Sequence, residues 1–568
     1  MFIPKSYKKD HPNPSFFRED YLVLDGLWDF KFDKFNLGEI LGYKRKFRKD
    51  YDILVPYPFE ALKSGIGIIK NIHNVWYRRI INIDSLDKDV FLHLEGIDYK
   101  SKVYVNNRFV GCERGGYHRH TFNITKYLKV GENKLVIKAH DDKSILKPRG
   151  KQRFTKDNWE CWYEEVNGIY KSVWIEYVAK RHIEYFKLTP SFKNKNIKIE
   201  LDANDVIDSL NVKISYKDIV LFDDNISSNN SHIEKTYDLS KEFHAWDVLK
   251  PELYDIEFNY ESDKVLSYFG VRDIKIKGNK IYLNDKELYQ KLVLDQGYIE
   301  GGHYTLTSDE LLFDIESMIK MGFNGARKHQ KRESDIFYSY SDFLGYLVWL
   351  EMPSFYLFTI LSSTRHKREW LKIIKELYNH PSIITYTPFN ESWGMFGLDK
   401  GYRRQINFAN KIHDQTKSFD NTRLILTNDG WSHANSDFLT LHLYNQDIES
   451  FKYDIDRAIN LNFVNYKDGR KFVIDNNLNN KPILLDEFGG TAFMNDNSKN
   501  WGYGKRVKDL EEYKERLKEL FGVILKDDRF SGYCYTQLSD VRQEINGLYT
   551  MDRKPKISDE DMIKIQNQ

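Results

Sequence analysis

Over roughly the first 180 residues the chain alternates apolar and polar positions with a period of two. Val103 and Val105 point one way ahead of Asn106-Asn107; Leu135, Ile137 and Ala139 repeat the spacing, as do Val173, Ile175 and Tyr177. Successive side chains on a strand face opposite sides of a sheet, so this pattern predicts half-buried strands, with the Asn-Asn pair as a tight hairpin turn. Residues 1–180 are therefore expected to form an all-β sandwich. A second β-rich stretch covers 181–275, marked by Ile197, Ile199 and Leu201, by Val212, Ile214 and Tyr216, and by Ile256, Phe258 and Tyr260. Its length and short strands predict an immunoglobulin-like β-sandwich.

From residue 276 the period changes. Thr307-Ser308-Asp309-Glu310 reads as a capping box, and Leu311, Ile315, Met318 and Ile319 supply a helical apolar stripe that stops at Gly322. Strand candidates recur between such helical stretches: Tyr289 to Leu294, Gly322 to Arg327, Tyr346 to Leu350, Ile383 to Pro388, Arg423 to Thr427, Phe438 to Leu443, Pro482 to Asp486 and Gly532 to Gln537. Eight strands with helical text between them predict a (β/α)₈ TIM barrel over 276–568.

Composition narrows the partners. The 568 residues, 41% hydrophobic and 15% aromatic, suffice for several cores. With 86 basic against 84 acidic residues the net charge is +2, which leaves no electrostatic footprint for nucleic acid. No apolar run reaches the length of a membrane span, and Met1 to Asp10 carries lysines without an apolar core, so neither a membrane partner nor a secretory leader is expected. Three scattered cysteines, Cys112, Cys161 and Cys534, suit a reducing compartment, and a cytoplasmic location is the expectation. Oligomeric state is left open; a homo-oligomer is compatible with the chain.

Two motifs carry the chemistry. Pro388-Phe389-Asn390-Glu391-Ser392-Trp393-Gly394 follows the fourth barrel strand, and Pro482-Ile483-Leu484-Leu485-Asp486-Glu487-Phe488-Gly489-Gly490 forms and follows the seventh. Barrel active sites lie at the C-terminal strand ends, where residues distant in sequence face one another. A paired carboxylate there suits glycosidic bond cleavage, with one group as proton donor and the other as nucleophile; a lone glutamate after an apolar strand would read first as a salt-bridged rim residue, and the pair in these settings favours catalysis. Gly65-Ile66-Gly67 lacks the setting of a dinucleotide loop. The Cys112, His118 and His120 group contains Gly115-Gly116-Tyr117, which reads as a turn, so neither a cofactor nor a metal is expected.

Asn390-Glu391 and Asp486-Glu487-Phe488-Gly489 resemble the acid/base and nucleophile signatures of glycoside hydrolase family 2. Leu24-Asp25-Gly26-Leu27-Trp28-Asp29-Phe30 resembles its opening motif, and Gly168 to Glu176 the closing strand of its sugar-binding domain. Tyr268-Phe269-Gly270-Val271-Arg272 is similar to the join to its barrel, and Leu344 to Trp349 to its third barrel strand. The resemblance implies a galactose-binding-like jelly-roll sandwich at 1–180 and a retaining exo-β-glycosidase acting on a carbohydrate substrate. It further implies Glu391 as acid/base, Glu487 as nucleophile and Asn390 as the amide that reads the sugar 2-hydroxyl. Arg327, with His329, would hold the nucleophile ionised, and His442 and Tyr444 follow the sixth strand, where related enzymes place a tyrosine on the nucleophile. Asp295, Asp429 with Trp431, and Gln537 with Asp540 end strands one, five and eight; they can bind sugar hydroxyls or cap loops, with Trp393 or Trp431 as a stacking platform.

The sugar is read from what is missing. β-Glucuronidases of the family carry an Asn-x-Lys motif after the last strand, whereas this chain has Glu544-Ile545-Asn546-Gly547. A uronic carboxylate would lack that lysine partner, although Lys328 or Arg542 can supply another counter-charge. A neutral sugar is therefore favoured, with β-galactoside first on family frequency. β-Glucuronide, β-mannoside and arabinoside stand as alternatives, and a carbohydrate-binding protein without catalysis is the reading from another class.

Overall fold

The computed structural model of the chain describes residues 3–464, 470–474, 480–493 and 500–568, and in it the alternating N-terminal text forms two facing antiparallel sheets. One sheet has four strands, in the order Tyr21–Val23, Val173–Val178, Asp89–Leu94 and His120–Asn123. The other has six, in the order Tyr51–Val55, Gly26–Phe32, Asn74–Ile83, Gly131–His140, Lys100–Val105 and Arg108–Arg114. Trp28, Phe30, Leu92, Val103, Leu135, Ile137 and Ile175 are buried between them, each side chain of that size contributing about 1.5–3 kcal/mol. Asn106 and Asn107 both take positive φ, 48° and 70°, and join two paired strands as the turn the sequence predicts.

A second sandwich follows. Ile183–Ser191, Asn196–Ala203 and His232–Asp238 form one sheet, facing Ile219–Ile226, Leu210–Tyr216, Tyr254–Tyr260 and Asp263–Phe269. Phe186, Ile199, Leu201, Val212, Ile214, Ile256 and Phe258 fill its core.

The C-terminal part is a barrel of eight parallel strands: β1 (Gln290–Asp295), β2 (Gly325–Lys328), β3 (Leu347–Glu351), β4 (Ile383–Thr387), β5 (Leu424–Ile425), β6 (Leu439–Leu443), β7 (Ile483–Gly489) and β8 (Phe530–Thr536). The ladder runs β5-β4-β3-β2-β1-β8-β7-β6. Asp437 N, donating to Ile425 O at 2.8 Å, and Gly430 N, donating to Thr440 Oγ1 at 2.9 Å, link its two ends. Helices α1 (Ser308–Lys320), α2 (Asp335–Leu344), α3 (Ile360–Glu376), α4 (Arg403–Phe419), α5 (Ile448–Leu461), α6 (Leu510–Leu525) and α7 (Asp559–Gln566) cover the outside. Thr307 and Glu310 cap α1 reciprocally, each side chain bonding the other's backbone amide, which satisfies two otherwise orphaned donors. One departure from regular alternation stands out: no helix joins β5 to β6. There the chain instead pairs Asn428–Asp429 with Phe389–Asn390, extending the fourth and fifth strands toward the rim.

A loop of the first sandwich reaches that rim. Residues 141–167 leave the strand Gly131–His140 and return at Gly168–Ile169. Arg149 N and Gly150 N donate to Ser354 O at 2.9 and 3.2 Å, Tyr356 N donates to Ile145 O at 3.0 Å, and Gln543 Nε2 donates to Glu160 O at 2.7 Å. Gly150 sits at φ 58°, and a Cβ there would lie 2.3 Å from Gln330 O, so the close approach to the loop after β2 requires glycine. Inside the loop Gln152 Nε2 donates to Asp98 Oδ2 at 2.7 Å and Tyr117 OH to Arg149 O at 2.8 Å, which fixes its shape.

Candidate active site

Glu487 lies in the C-terminal half of β7 and faces Arg327 from β2. Arg327 Nη1 donates to Glu487 Oε1 at 3.1 Å and to Asp486 O at 2.5 Å, Nη2 donates to Asp429 Oδ2 at 2.5 Å, and Nε donates to Glu351 Oε1 at 2.9 Å. All five groups are buried. Such a guanidinium is held rigidly by planar, charge-assisted bonds, and it orients the carboxylate it touches. Tyr444, just beyond β6, donates its hydroxyl to Glu487 Oε2 at 2.5 Å and stacks on Tyr503 with ring centroids 3.6 Å apart.

Glu391 lies beyond β4 at φ 50°, its amide donating to Asp429 O at 3.3 Å and to Asp429 Oδ1 at 3.2 Å. His442 on β6 joins the two glutamates. Its Nδ1 is 2.8 Å from Glu391 Oε1 and 3.3 Å from Glu487 Oε2, while Nε2 is 3.2 Å from Asp486 Oδ1. Gly430 makes room for the ring, since a Cβ there would sit 2.3 Å from it.

The charges follow from these contacts. Burial alone would push the His442 imidazole down, but the Glu487 and Asp486 carboxylates and the bond to Glu391 hold it well above its ordinary value. Burial alone would push the Glu487 carboxyl up; His442, Arg327, His329 and Lys151 outweigh that and lower it to about 2. Glu487 is thus ionised with its two oxygens held by Arg327 and Tyr444. The same ring lies within two groups of the described residues that could hold a cation, Glu391–His442–Glu487 and Asp429–His442–Asp486, whose ligand-type atoms lie within 4.8 Å of one another.

Other residues marked from the sequence divide by what already holds them. Asn390 is buried beside Glu391, and among the described residues neither its amide oxygen nor its nitrogen has a hydrogen-bond partner, so the amide is left able to donate and accept. His329 Nδ1 lies 2.9 Å from Glu351 Oε2, behind Arg327. Trp393 packs in the cleft wall, and Trp431 carries the Arg470 guanidinium on its face at 4.1 Å. Asp295 does not join the pair: Lys328 Nζ donates to its Oδ2 at 2.7 Å and Gly297 N to its Oδ1 at 2.8 Å, which fixes the end of β1. Gln537 accepts from Gln296 and donates to Asn546, at 2.7 and 2.8 Å. Asp540 accepts from Gly547 N at 2.9 Å and pairs with Lys556 at 2.5 Å, so it braces the loop after β8.

Several site groups had escaped the sequence reading. Glu351 ends β3 as an acidic residue closing an apolar strand, the same signal that marked Glu487. Lys151, Cys161, Trp162 and Tyr163 belong to the first sandwich's loop, and no strand or helix periodicity marks it. Trp162 stacks between Trp159 and Trp393 at 4.2 and 5.2 Å, and Tyr163 OH bonds Glu544 Oε2. The loop thereby forms one wall of the cleft beside Glu391.

Family models agree with this architecture along the chain. The one described as "Glycosyl hydrolases family 2, sugar binding domain" matches residues 22–177, "Glycosyl hydrolases family 2" matches 181–272, and "Glycosyl hydrolases family 2, TIM barrel domain" matches 274–567. A β-galactosidase of Thermoanaerobacterium thermosulfurigenes is 26% identical over 501 residues, 83% of this chain and 65% of that protein. A β-glucuronidase of Streptococcus agalactiae is 23% identical over 419 residues, 65% of this chain and 66% of that protein. The chain spans 35% to 66% of the length of the first three relatives it matches. Among solved structures, the β-glucuronidase of Ruminococcus gnavus superposes with a TM-score of 0.78 at 17% identity, covering 99% of both chains.

Proposed function

The chain belongs to glycoside hydrolase family 2, and from that premise we propose that it is a retaining exo-β-glycosidase. One observation carries the reading: a single ring nitrogen, His442 Nδ1, reaches Glu391 at 2.8 Å and Glu487 at 3.3 Å, with an oxygen of each glutamate within 4.8 Å of the other. Retaining pairs stand about 5–5.5 Å apart and inverting pairs about 6.5–9.5 Å, to leave room for water. Two glutamates that share one ring nitrogen support the closer, retaining arrangement.

In the first step ionised Glu487 attacks the anomeric carbon while Glu391 gives its proton to the leaving oxygen. The new ester removes the charge on Glu487. Glu391, now a carboxylate, takes a proton from water, which attacks the same carbon and releases the sugar with its configuration kept. Arg327 and Tyr444 aim the nucleophile along one line throughout, and the unpartnered amide of Asn390 is suited to the 2-hydroxyl, a contact that tightens as the ring gains positive charge. The sandwich loop closes one side of the cleft, which favours a terminal sugar.

Relatives named for β-galactosides and for β-glucuronides match alike, so their names do not choose the sugar. The location we propose is a reducing compartment, since Cys112, Cys161 and Cys534 are all free thiols. Release of nitrophenol from a panel of β-linked nitrophenyl sugars tests the activity, with Glu487→Gln expected to lose about 10⁴-fold or more. Proton NMR of the first-formed sugar should show the β anomer. Full activity in Glu487→Gln, or an initial α product, would end this reading.

A further inference from the structure

Lys151 is a buried cation with no carboxylate of its own. Its residue is 7% exposed, and among the described residues its ammonium forms no ion pair within 4.0 Å. The other cations around the cleft are matched. Arg327 bonds Glu351, Asp429 and Glu487; Lys328 pairs with Asp295 and Glu333 at 2.7 and 3.0 Å; Arg542 pairs with Glu164 and Glu300 at 2.6 and 3.1 Å. Lys328 and Arg542, the counter-charges the sequence offered for a uronic acid, are therefore already engaged.

The surroundings of Lys151 point to the missing partner. Nζ lies 4.6 Å from the centre of the Trp393 ring, two residues beyond the acid/base. Its charge also reaches Glu544, Glu487 and Glu391. None of these carboxylates turns to it. Glu544 accepts from Tyr163 OH and from Asn546 Nδ2, Glu487 from Arg327 and Tyr444, and Glu391 meets His442. The neighbouring Cys161 thiol is pushed up to about 12, mainly by burial, so it stays neutral and supplies no counter-charge. Asn546, on the loop after the last barrel strand, has its amide bound to Gln537 and Glu544. A buried ammonium without an anion is costly to keep, and that cost is relieved when a ligand brings one.

We propose that Lys151 is the specificity-determining residue of the sugar site and that it pairs with an oxyanion on the sugar, a uronic carboxylate or a sulfate ester. The inference rests on the glycosidase reading and overturns the preference for a neutral sugar. It also gives the first sandwich a direct role: its loop delivers the cation that the barrel lacks.

The test compares kcat/KM for 4-nitrophenyl β-glucuronide, 4-nitrophenyl β-galactoside 6-sulfate and the uncharged β-galactoside and β-glucoside, in the natural protein and in Lys151→Met. One of the two anionic substrates is expected to lead, and which one leads separates carboxylate from sulfate. Lys151→Met should lose at least about 30-fold more on that substrate than on the uncharged ones, so that the preference for the anionic sugar disappears. A natural protein that prefers uncharged sugars, or a variant that loses equally on all, overturns the proposal. Should Lys151→Met fail to fold, calorimetry on Glu487→Gln decides: glucuronic acid or galactose 6-sulfate should bind more tightly than galactose, and equal or weaker binding overturns it. If no glycoside is turned over at all, the glycosidase reading fails while this binding comparison still reads the Lys151 site.

Discussion

Arg327 on the barrel floor and Lys151 in the wall beside it are both buried cations at one cleft, and their surroundings treat them oppositely. Arg327 has carboxylate oxygens of Glu351, Asp429, Glu487 and Asp486 at 2.9, 2.5, 3.1 and 3.6 Å. Lys151 has none within 4.0 Å among the described residues. In the proposed reaction the floor serves bond cleavage, which is the same for every β-glycoside, and its nucleophile is held rigidly because Arg327 and Glu487 are paired before substrate arrives. The wall is left with an unmet charge, and a group in that condition is where one sugar can be told from another, since discrimination is strongest when the wrong ligand leaves a buried polar group unpaired.

Breaking the floor should have the larger effect. Arg327→Met would leave Glu351, Asp429 and Glu487 buried together without their shared cation, at a cost of about 3–5 kcal/mol in stability. Turnover should fall about 10³-fold as the nucleophile loses its aim, a loss typical of removing one preorganised charge partner. The change is also visible in pH. Glu487 is lowered to about 2, so its paired form stabilises the fold above the ordinary carboxyl range, and that stabilisation is lost as pH falls through about 2. Without Arg327 the carboxyl rises, and acid unfolding should begin at a higher pH than in the natural protein. An unshifted acid limb in a thermal-melt series would show that Arg327 does not hold Glu487 ionised.

The two regions also differ in how far the amino-acid sequence discloses them. Floor residues sit at the ends of apolar strands whose order can be counted along the chain, and that count together with the family resemblance singles out Arg327, Asn390, Glu391, His442, Tyr444 and Glu487. Position on a strand end does not say which way a side chain is drawn. Asp295 ends β1 as plainly as Glu351 ends β3, yet Lys328 and the Gly297 amide hold it, because three charges at and just after the end of β2 need balancing there: Lys328, Lys331 and Glu333. Lys151 and Trp162 are beyond reach for another reason. They lie in a loop with no strand or helix period, and they act on a domain that begins more than a hundred residues later, through backbone bonds at Ser354 and Tyr356 that no local pattern encodes.

A milder change sharpens the contrast within the floor. Tyr444→Phe removes one donor to Glu487 and leaves Arg327 and the packing against Tyr503 in place. Losing a hydrogen bond to a charged group should lower kcat about 10- to 100-fold with little change in KM. The melting temperature should stay near that of the natural protein. If KM rises while kcat holds, Tyr444 binds the sugar and does not aim the nucleophile.

The smallest effect, and the most selective, is expected from Gly150→Ala in the wall. Gly150 holds φ 58°, and the added Cβ would lie 2.3 Å from Gln330 O, so the segment bearing Lys151 must back away from the barrel rim. The chemistry on the floor is untouched, because Glu391, His442, Arg327 and Glu487 take their contacts from barrel strands. Misplacing a binding group by an ångström or less should cost about tenfold, short of the hundredfold that a misaligned reacting group can lose. The loss should appear in KM for the preferred substrate, with kcat for activated aryl glycosides nearly constant. A fall in kcat with KM unchanged would mean that the sandwich loop supports the catalytic pair itself, and the division between a floor that cleaves and a wall that selects would not stand.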